Sequence, residues 1–410
     1  MEVKMGIRNL YGILWKHRIP QLLFYIGLSI ELMIVIIDKS NYINPIEGIL
    51  FRVTFLLFVL KLLGTAYTRK EWCLIVLLEL IALISYKVTG KNDIIRIVTF
   101  VAACKGIPLK QMIRYAFYVT LAGCVVIVFL AVSGIYGDMS LTTDYGRNWA
   151  ATYGQSSVER RYTLGMGHPN ALSCMFLMLL AMGIYGYAER MKWYVYLFLM
   201  LINIGVYGLT DSKTSMLVAT MLLLGSFIMT YCRFFREKII AYFCGFLVFL
   251  LCIVFSVDAA AHALQVKDDW VLYAYYDHEP EDIHRNVLLQ ADKFMNGRIK
   301  SLTNTARKDG TIGTWSVFSC PENMDNYFDM GWVKLFYRYG VIPGILYCIA
   351  CGALLWKFYR KKDAFGLVIF TVLAVYSVME AHLFSVYIGR NFLLMMMGSY
   401  FLPIEIIPEK

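Results

Sequence analysis

The chain has 410 residues, of which 59% are hydrophobic and 17% are charged, and its mean hydropathy is +0.59. This apolar content is well above that of soluble domains and excludes an ordinary soluble enzyme. The apolar runs are uninterrupted and roughly 17 to 25 residues long, which suits helices that cross a bilayer and not the alternating strands of a membrane β-barrel. The predicted fold class is therefore all-α, in a polytopic membrane protein.

The formal charge of +10 is unevenly distributed along the chain. The segment Asp258–Trp332 has twelve acidic and seven basic residues, a net charge of −5, so the remainder of the chain carries +15. A basic excess in the short loops of a membrane protein is an ordinary signal of orientation. No nucleic-acid partner is expected from it.

Taken in chain order, the apolar runs predict about twelve transmembrane helices. Their predicted ranges are 20–38, 46–63, 72–88, 93–105, 113–134, 169–188, 192–210, 214–232, 239–257, 333–356, 365–387 and 391–407. If these helices alternate in direction, the basic residues of the short loops share one side of the membrane. The positive-inside rule makes that side cytoplasmic, with both termini on it.

This topology divides the chain into three parts. Residues 1–257 hold helices one to nine and a medium outer loop at 135–167. Residues 258–332 form a large extracytoplasmic loop between helices nine and ten, and residues 333–410 hold the last three helices. Because the large polar loop is the main departure from apolar sequence, the chemistry is expected on the outer face.

Several cations are predicted to converge on that face. Arg160 and Arg161 end the medium loop, and Lys213 lies in the next outer turn. Such groups at the boundary between lipid and water suit the diphosphate of a lipid-linked substrate. Arg52 and Arg96 lie within predicted spans, where a charge is costly unless it faces a polar cavity. The alternative is that these cations are solvated or extend outward to the interface.

Other polar groups lie in or beside the predicted spans. His168 and Asn170 flank a proline at the start of the sixth span, where His168 can cap the helix or bind a substrate. The carboxylates of Glu31, Glu79 and Glu380 need partners such as the buried arginines, or else they mark the ion path of a transporter.

The large loop predicts an amphipathic helix from Pro280 to Met295, which is expected to lie on the membrane or to cover a cavity. Asp282, His284 and their neighbours are interpreted as residues of a helix start, so no metal or cofactor is expected. Asp325 returns the chain to the membrane surface and is the best candidate for a general base. An aspartate that makes a loop turn is the alternative.

Four short motifs accompany the predicted spans and loops. They are Arg-x-x-x-Gly-x-x-x-Pro-Asn at 161–170, Thr-x-Ser-Lys-Thr at 210–214, Gly-Arg-Ile at 297–299 and Asp-Asn-Tyr at 325–327. With about twelve spans and two large outer loops, the chain resembles the O-antigen polymerase and ligase superfamily. More narrowly, it looks like a Wzy-type polysaccharide polymerase, and the resemblance extends over most of the chain.

The resemblance implies a GT-C-like glycosyltransferase that needs no metal. Such an enzyme transfers a glycan from undecaprenyl diphosphate to a sugar hydroxyl of another lipid-linked repeat unit, with inversion. Arg161 and Lys213 would hold the diphosphate, with Lys213 at a position where the family commonly has arginine. Asp325 would be the base. The ligase branch typically has a histidine before the asparagine there, so this departure favours a polymerase.

The resemblance also implies substrate-binding roles for Arg298, Asn326 and Tyr327, which lie in the matching motifs. The implied partners are the lipid-linked glycan, the lipid bilayer, a chain-length regulator and a flippase. The implied location is the bacterial plasma membrane, in which the chain passes many times.

Three other functions fit a polytopic chain of this kind. A glycolipid flippase would be expected to show internal repeats and broken helices at matched positions, and no convincing repeat is visible. A peptidoglycan polymerase of the shape, elongation, division and sporulation family usually has fewer spans. An O-antigen-ligase-like transferase shares most of the predicted site.

Overall fold

The computed structural model describes residues 2–144, 158–276, 279–303, 310–323 and 328–403. These residues form fifteen α-helices, several short 3-10 turns and one antiparallel pair of strands. The helices are α1 Glu2–Asp38, α2 Glu47–Leu63, α3 Arg69–Thr89, α4 Asp93–Ala103, α5 Leu109–Val132, α6 Pro169–Tyr187, α7 Trp193–Thr210, α8 Lys213–Tyr231, α9 Arg233–Glu237, α10 Ile239–Tyr276, α11 Ile283–Phe294, α12 Gly331–Tyr339, α13 Val341–Lys361, α14 Ala364–Met379 and α15 Leu393–Phe401. The strands are β1 Ser140–Asp144 and β2 Val158–Tyr162.

Eight of the described helices are long and apolar enough to cross a membrane. They are α1, α3, α5, α6, α7, α8, α10 and α13, and α14 is a shorter apolar helix of 16 residues. α2, α4 and α15 are 17, 11 and 9 residues long and lie where the second, fourth and twelfth spans are predicted. The all-α, multi-pass class is confirmed.

Two of the late predicted spans are interrupted. The span predicted at 333–356 is found as α13, but its predicted start is wrong, because α12 ends at Tyr339 and α13 starts at Val341. Gly340 between them has φ +91°, which a helix cannot contain. The span predicted at 365–387 stops at Met379 as a helix, and residues 380–392 form an irregular segment with one 3-10 turn.

The helix of the ninth predicted span, α10, is longer than predicted. α10 continues from Ile239 to Tyr276, past the predicted end at 257. Its 38 residues extend over roughly 57 Å, about twice the thickness of a bilayer core, so the polar half beyond Asp258 projects from the membrane.

The predicted amphipathic helix of the large loop is confirmed as α11. Asp282 caps it by accepting a hydrogen bond from Arg285 N, as expected for an acid at a helix start. α11 packs along the projecting half of α10, where the indole Nε1 of Trp270 donates to the buried carboxylate of Asp292 at 2.6 Å. The loop is thus built on α10.

One end of the bundle, called here the cavity end, joins the end of α1 to the starts of α4 and α6. The amide of Gly167, just before α6, donates to the carbonyl of Lys39 at 2.9 Å. Arg338 of α12 forms an ion pair with Asp93 at the start of α4, at 2.8 Å.

The opposite end, called here the basic end, holds the loops that the sequence marks as basic. Lys105, after α4, pairs with Glu71 of α3 at 2.5 Å, and Lys110 of α5 pairs with Glu189 after α6 at 2.6 Å. The predicted grouping of basic loops on one side of a membrane stays a prediction.

Candidate functional site

A polar cavity of about 560 Å³ lies at the cavity end of the bundle. Its walls come from the end of α1, the start of α6, α12 and the irregular segment 380–392. The lining residues are Asp38, Lys39, His168, Asn170, Ala171, Cys174, Asp329, Lys334, Arg338, Tyr376, Glu380, Ala381, His382, Ser385, Val386, Tyr387 and Arg390. The lining contains more cations than carboxylates, so the cavity is suited to an anionic ligand.

The irregular segment 380–392 exists because its polar side chains are bound by other elements. Arg390 forms an ion pair with Asp38 at the end of α1. The side-chain amide of Asn391 donates to Tyr347 Oη at 3.2 Å. These bonds hold non-helical backbone in place at the cavity wall, where irregular structure can be satisfied by protein groups.

The cations of α12 are held close to the cavity. Lys334 is only 7% exposed, and burial lowers its pKa to about 8. Arg338 lies one turn further along the helix and pairs with Asp93. Lys39 is half-buried, and the structure shows no salt bridge to it among the described residues. Lys39 and Lys334 both line the cavity, so a phosphate group bound there would have two lysines available as partners.

Glu380 connects the cavity to the large loop. Its Oε1 accepts a hydrogen bond from Arg298 Nη2 at 2.7 Å, and Arg298 also forms an ion pair with Asp329. Burial raises the pKa of Glu380, and the positive charge of Arg298 opposes that shift. Glu380 thus has an arginine as its partner, but this arginine comes from the large loop and is not one of the two predicted within spans.

Two histidines line the cavity. His168 caps α6, as predicted, and its Nδ1 accepts a hydrogen bond from Asn170 N at 3.1 Å. Nε2 of the neutral ring is then the protonated nitrogen and can donate to an anion. Burial lowers the pKa of His382 well below its usual value, so that ring is neutral.

Arg96 supports the cavity wall from behind. It is 2% exposed, its Nη2 pairs with Glu31 at 2.8 Å, and its Nη1 donates to the carbonyl of Val386 at 3.0 Å. The partner predicted for Glu31 is confirmed, and Glu79 instead accepts from the hydroxyl of Thr99 at 2.8 Å. Arg96 thus contacts the backbone of a lining residue.

The other predicted cations lie elsewhere. Arg161 is a buried residue of β2, and its Nε donates to the carbonyl of Thr210 at the carboxyl end of α7, at 2.5 Å. Arg160 is exposed and donates to Ser140 across the strand pair, at 3.0 Å. Lys213 is exposed at the start of α8. The cavity lining, as far as the structure describes it, includes none of these three cations.

Four further predicted site residues complete the comparison. Arg52 is exposed on α2 and is absent from the described lining. Asp325, Asn326 and Tyr327 lie outside the described residues, which resume at Phe328. Asp329, one residue further on, lines the cavity.

Several lining residues were missed by sequence reasoning. They are Lys39, Lys334, Arg338, His382 and Arg390. Four of them fall at the edge of or inside predicted spans ten to twelve, where an ionisable residue indicates a polar cavity. The same rule that selected Arg52 and Arg96 would have found them.

The arrangement offers convergent cations, hydrogen-bond donors and a buried carboxylate beside an apolar bundle. It is suited to holding a phosphorylated headgroup at the end of the helices. No family model, no curated protein and no solved structure matches this chain.

Proposed function

We propose that the chain is a membrane glycosyltransferase that polymerises undecaprenyl-diphosphate-linked repeat units into a surface polysaccharide. The observation that carries this proposal is the cavity, in which Lys39, Lys334 and Arg338 face the same space at one end of an apolar bundle. A lipid-linked diphosphate needs cations at the surface of the bilayer for its headgroup and apolar surroundings for its chain.

The proposed topology has about twelve spans in the bacterial plasma membrane, with the cavity end outside and both termini in the cytoplasm. The positive-inside rule supports this orientation, because Lys105 and Lys110 lie at the basic end of the bundle. Together with the eight long helices, α14 and the three short helices α2, α4 and α15 would complete the count.

In the proposed mechanism the cavity cations hold the diphosphate of the donor. The acceptor hydroxyl attacks the anomeric carbon, a new C–O bond forms there, and the bond from that carbon to the diphosphate oxygen breaks. Asp325 accepts the hydroxyl proton, and Lys39 and Lys334 stabilise the charge that develops on the leaving diphosphate. Direct displacement inverts the anomeric centre, and the step needs no metal in this proposal.

Within the proposal, Arg161 and Arg96 support the cavity from outside, and His168 and Asn170 belong to its lining. Arg161 ties the outer strand pair to α7, and Arg96 holds the segment that carries Glu380 and Arg390. His168 and Asn170 lie at the amino terminus of α6, where backbone N–H groups also favour an anion.

The test is reconstitution of the purified full-length protein with lipid-linked repeat units isolated from a source strain that lacks it. A ladder of products and released undecaprenyl diphosphate are expected. Movement of the repeat units across the bilayer without new glycosidic bonds would instead support a flippase, and transfer to a single terminal acceptor would support a ligase.

Matched variants locate the site. Lys39→Ala and Asp325→Asn should each reduce polymer formation by about tenfold or more, since each removes a group used in the transition state. Lys91→Ala, which removes an exposed cation from the same end of the molecule, should leave the ladder unchanged. Full activity of both Lys39→Ala and Asp325→Asn in a folded protein would overturn the proposed site.

A further inference from the structure

A cluster of possible metal ligands lies outside the cavity, where α10 leaves the apolar part of the bundle. Asp258 and His262 are one turn apart on α10, and His284 comes from the first turn of α11. One ligand atom from each residue lies within 4.8 Å of the other two.

The geometry inside the cluster is convergent. His284 Nε2 lies 2.8 Å from Asp258 Oδ2, and His262 Nδ1 lies 3.0 Å from Asp258 Oδ1. The two imidazole rings meet edge to face with their centroids 4.8 Å apart. Residues four apart on a helix share one face, so Asp258 and His262 present their groups in the same direction.

The donor set is two imidazole nitrogens and one carboxylate oxygen. These ligands suit zinc and neighbouring divalent transition metals, which commonly take three protein ligands and leave a position for water. Ligand atoms around a zinc ion lie closer together than 4.8 Å. Small rotations of the partly exposed side chains can bring the three ligand atoms to that shorter spacing. The side chains are 32%, 32% and 50% exposed for Asp258, His262 and His284.

We propose that Asp258, His262 and His284 form a binding site for a divalent transition-metal ion, of which zinc is the type, and that the ion fastens α11 to α10. The ion would join the amino end of α11 to the point where α10 leaves the membrane. The carboxyl end of α11 is already held, because Trp270 of α10 donates to Asp292. Metal binding would therefore stabilise the base of the large loop.

This site is independent of the proposed glycosyltransferase. Its three residues are absent from the described lining of the cavity, and binding can be measured without any glycan substrate. The alternative is that the aspartate and the two histidines bind no metal and hold the two helices together by hydrogen bonds alone.

The experiment uses full-length protein purified in detergent without a histidine tag and freed of metal by a chelator. Titration with zinc against a chromogenic chelator should show about one tightly bound ion per chain. His262→Ala and His284→Ala should each weaken binding by about tenfold or more, whereas Asp268→Asn, an exposed carboxylate on the same helix, should not.

A structural readout completes the test. Zinc should slow amide hydrogen exchange across 283–294 in the original protein and should have no such effect in His284→Ala. Bound zinc should also decrease as the pH is lowered to about 5, because the ligands must be unprotonated. Absence of stoichiometric zinc binding, or zinc binding by both histidine variants as tight as that of the original protein, would overturn the proposal.

Discussion

Lys334 lies on α12, is 7% exposed and faces a cavity that also contains Lys39 and Arg338. Burial disfavours its charged form, and the nearby charge of Arg338 acts in the same direction. A lysine in this setting keeps its charge at neutral pH but loses it far below the usual pKa of about 10.5. Its role is therefore accessible to pH measurements.

The decrease of activity at alkaline pH should reflect the deprotonation of Lys334. Because its pKa is about 8, kcat/KM for the lipid-linked donor should decrease as the pH rises through about 8. Lys334→Arg should move that decrease to higher pH, since arginine stays protonated, while Lys267→Arg on the exposed face of α10 should leave the profile unchanged. A profile that is identical in the original protein and in folded Lys334→Arg would exclude a role for this ammonium.

The ammonium group of Lys334 also affects folding stability, with a pH dependence opposite to that of activity. Its pKa is lower in the folded chain than in the unfolded chain, so the unfolded chain binds more protons between about pH 8 and 10.5. The contribution of Lys334 to the free energy of unfolding therefore increases as the pH rises through this window, while activity decreases.

At the scale of elements, the junction between α12 and α13 determines where the cations of α12 point. Gly340 has φ +91°, and a Cβ added to it would collide with the backbone of Phe318. The chain turns between the two helices here, with no space for a side chain. An uninterrupted helix, as the apolar pattern predicts, would direct Lys334 and Arg338 differently.

Gly340→Ala should destabilise the protein by about 2 kcal/mol or more, through backbone strain and the clash with Phe318. The measurement is thermal unfolding in detergent, followed by intrinsic fluorescence. Gly313→Ala is the control, because a Cβ at Gly313 meets no atom within 4 Å. Equal melting temperatures for the two variants would show that the junction tolerates a side chain.

A second connection between elements runs from the large loop to the cavity wall through Arg298. Arg298→Gln should leave Glu380 and Asp329 without their cation and reduce polymer formation by about tenfold or more, because the mostly buried carboxylate of Glu380 would be unpaired and would distort the wall. The product ladder measures this loss. Lys267→Gln removes an exposed cation of α10 and should retain full activity. A similar product ladder from both variants would show that Arg298 of the large loop does not support the site.

At the scale of the whole molecule, the bundle has two chemically different ends. The cavity end holds ion pairs and a polar cavity, and the basic end holds lysines and arginines of short loops. This asymmetry supports the proposed orientation, in which the basic loops are retained in the cytoplasm.

This orientation can be measured in intact cells, in a background where the exposed native cysteines are replaced by serine. Lys91→Cys at the cavity end should react with a membrane-impermeant maleimide in intact cells. Lys238→Cys at the basic end should react only after the membrane is permeabilised. The reverse pattern would place the cavity in the cytoplasm and would exclude the proposed use of an outer-face substrate.

The sequence by itself determined the properties that depend on neighbouring residues. Uninterrupted apolar runs determined the all-α membrane class, because a bilayer requires about 20 apolar residues for each helix. Capping by His168 and the presence of α11 with acids at its start were likewise predicted, since caps and amphipathic periods are local. The rule that a buried charge needs a partner also predicted partners for Glu31 and Arg96, which form an ion pair with each other.

Only the tertiary structure decided which charges share a cavity. Arg390 and Asp38 form an ion pair although 352 positions separate them in the chain. Arg161 belongs to a motif that predicts a place in the site on the outer face. In the structure its side chain is bound at the end of α7, outside the described cavity lining. Distances in the chain do not determine distances in a bundle, because helix packing and the breaks at Gly340 and Glu380 set which helix ends meet.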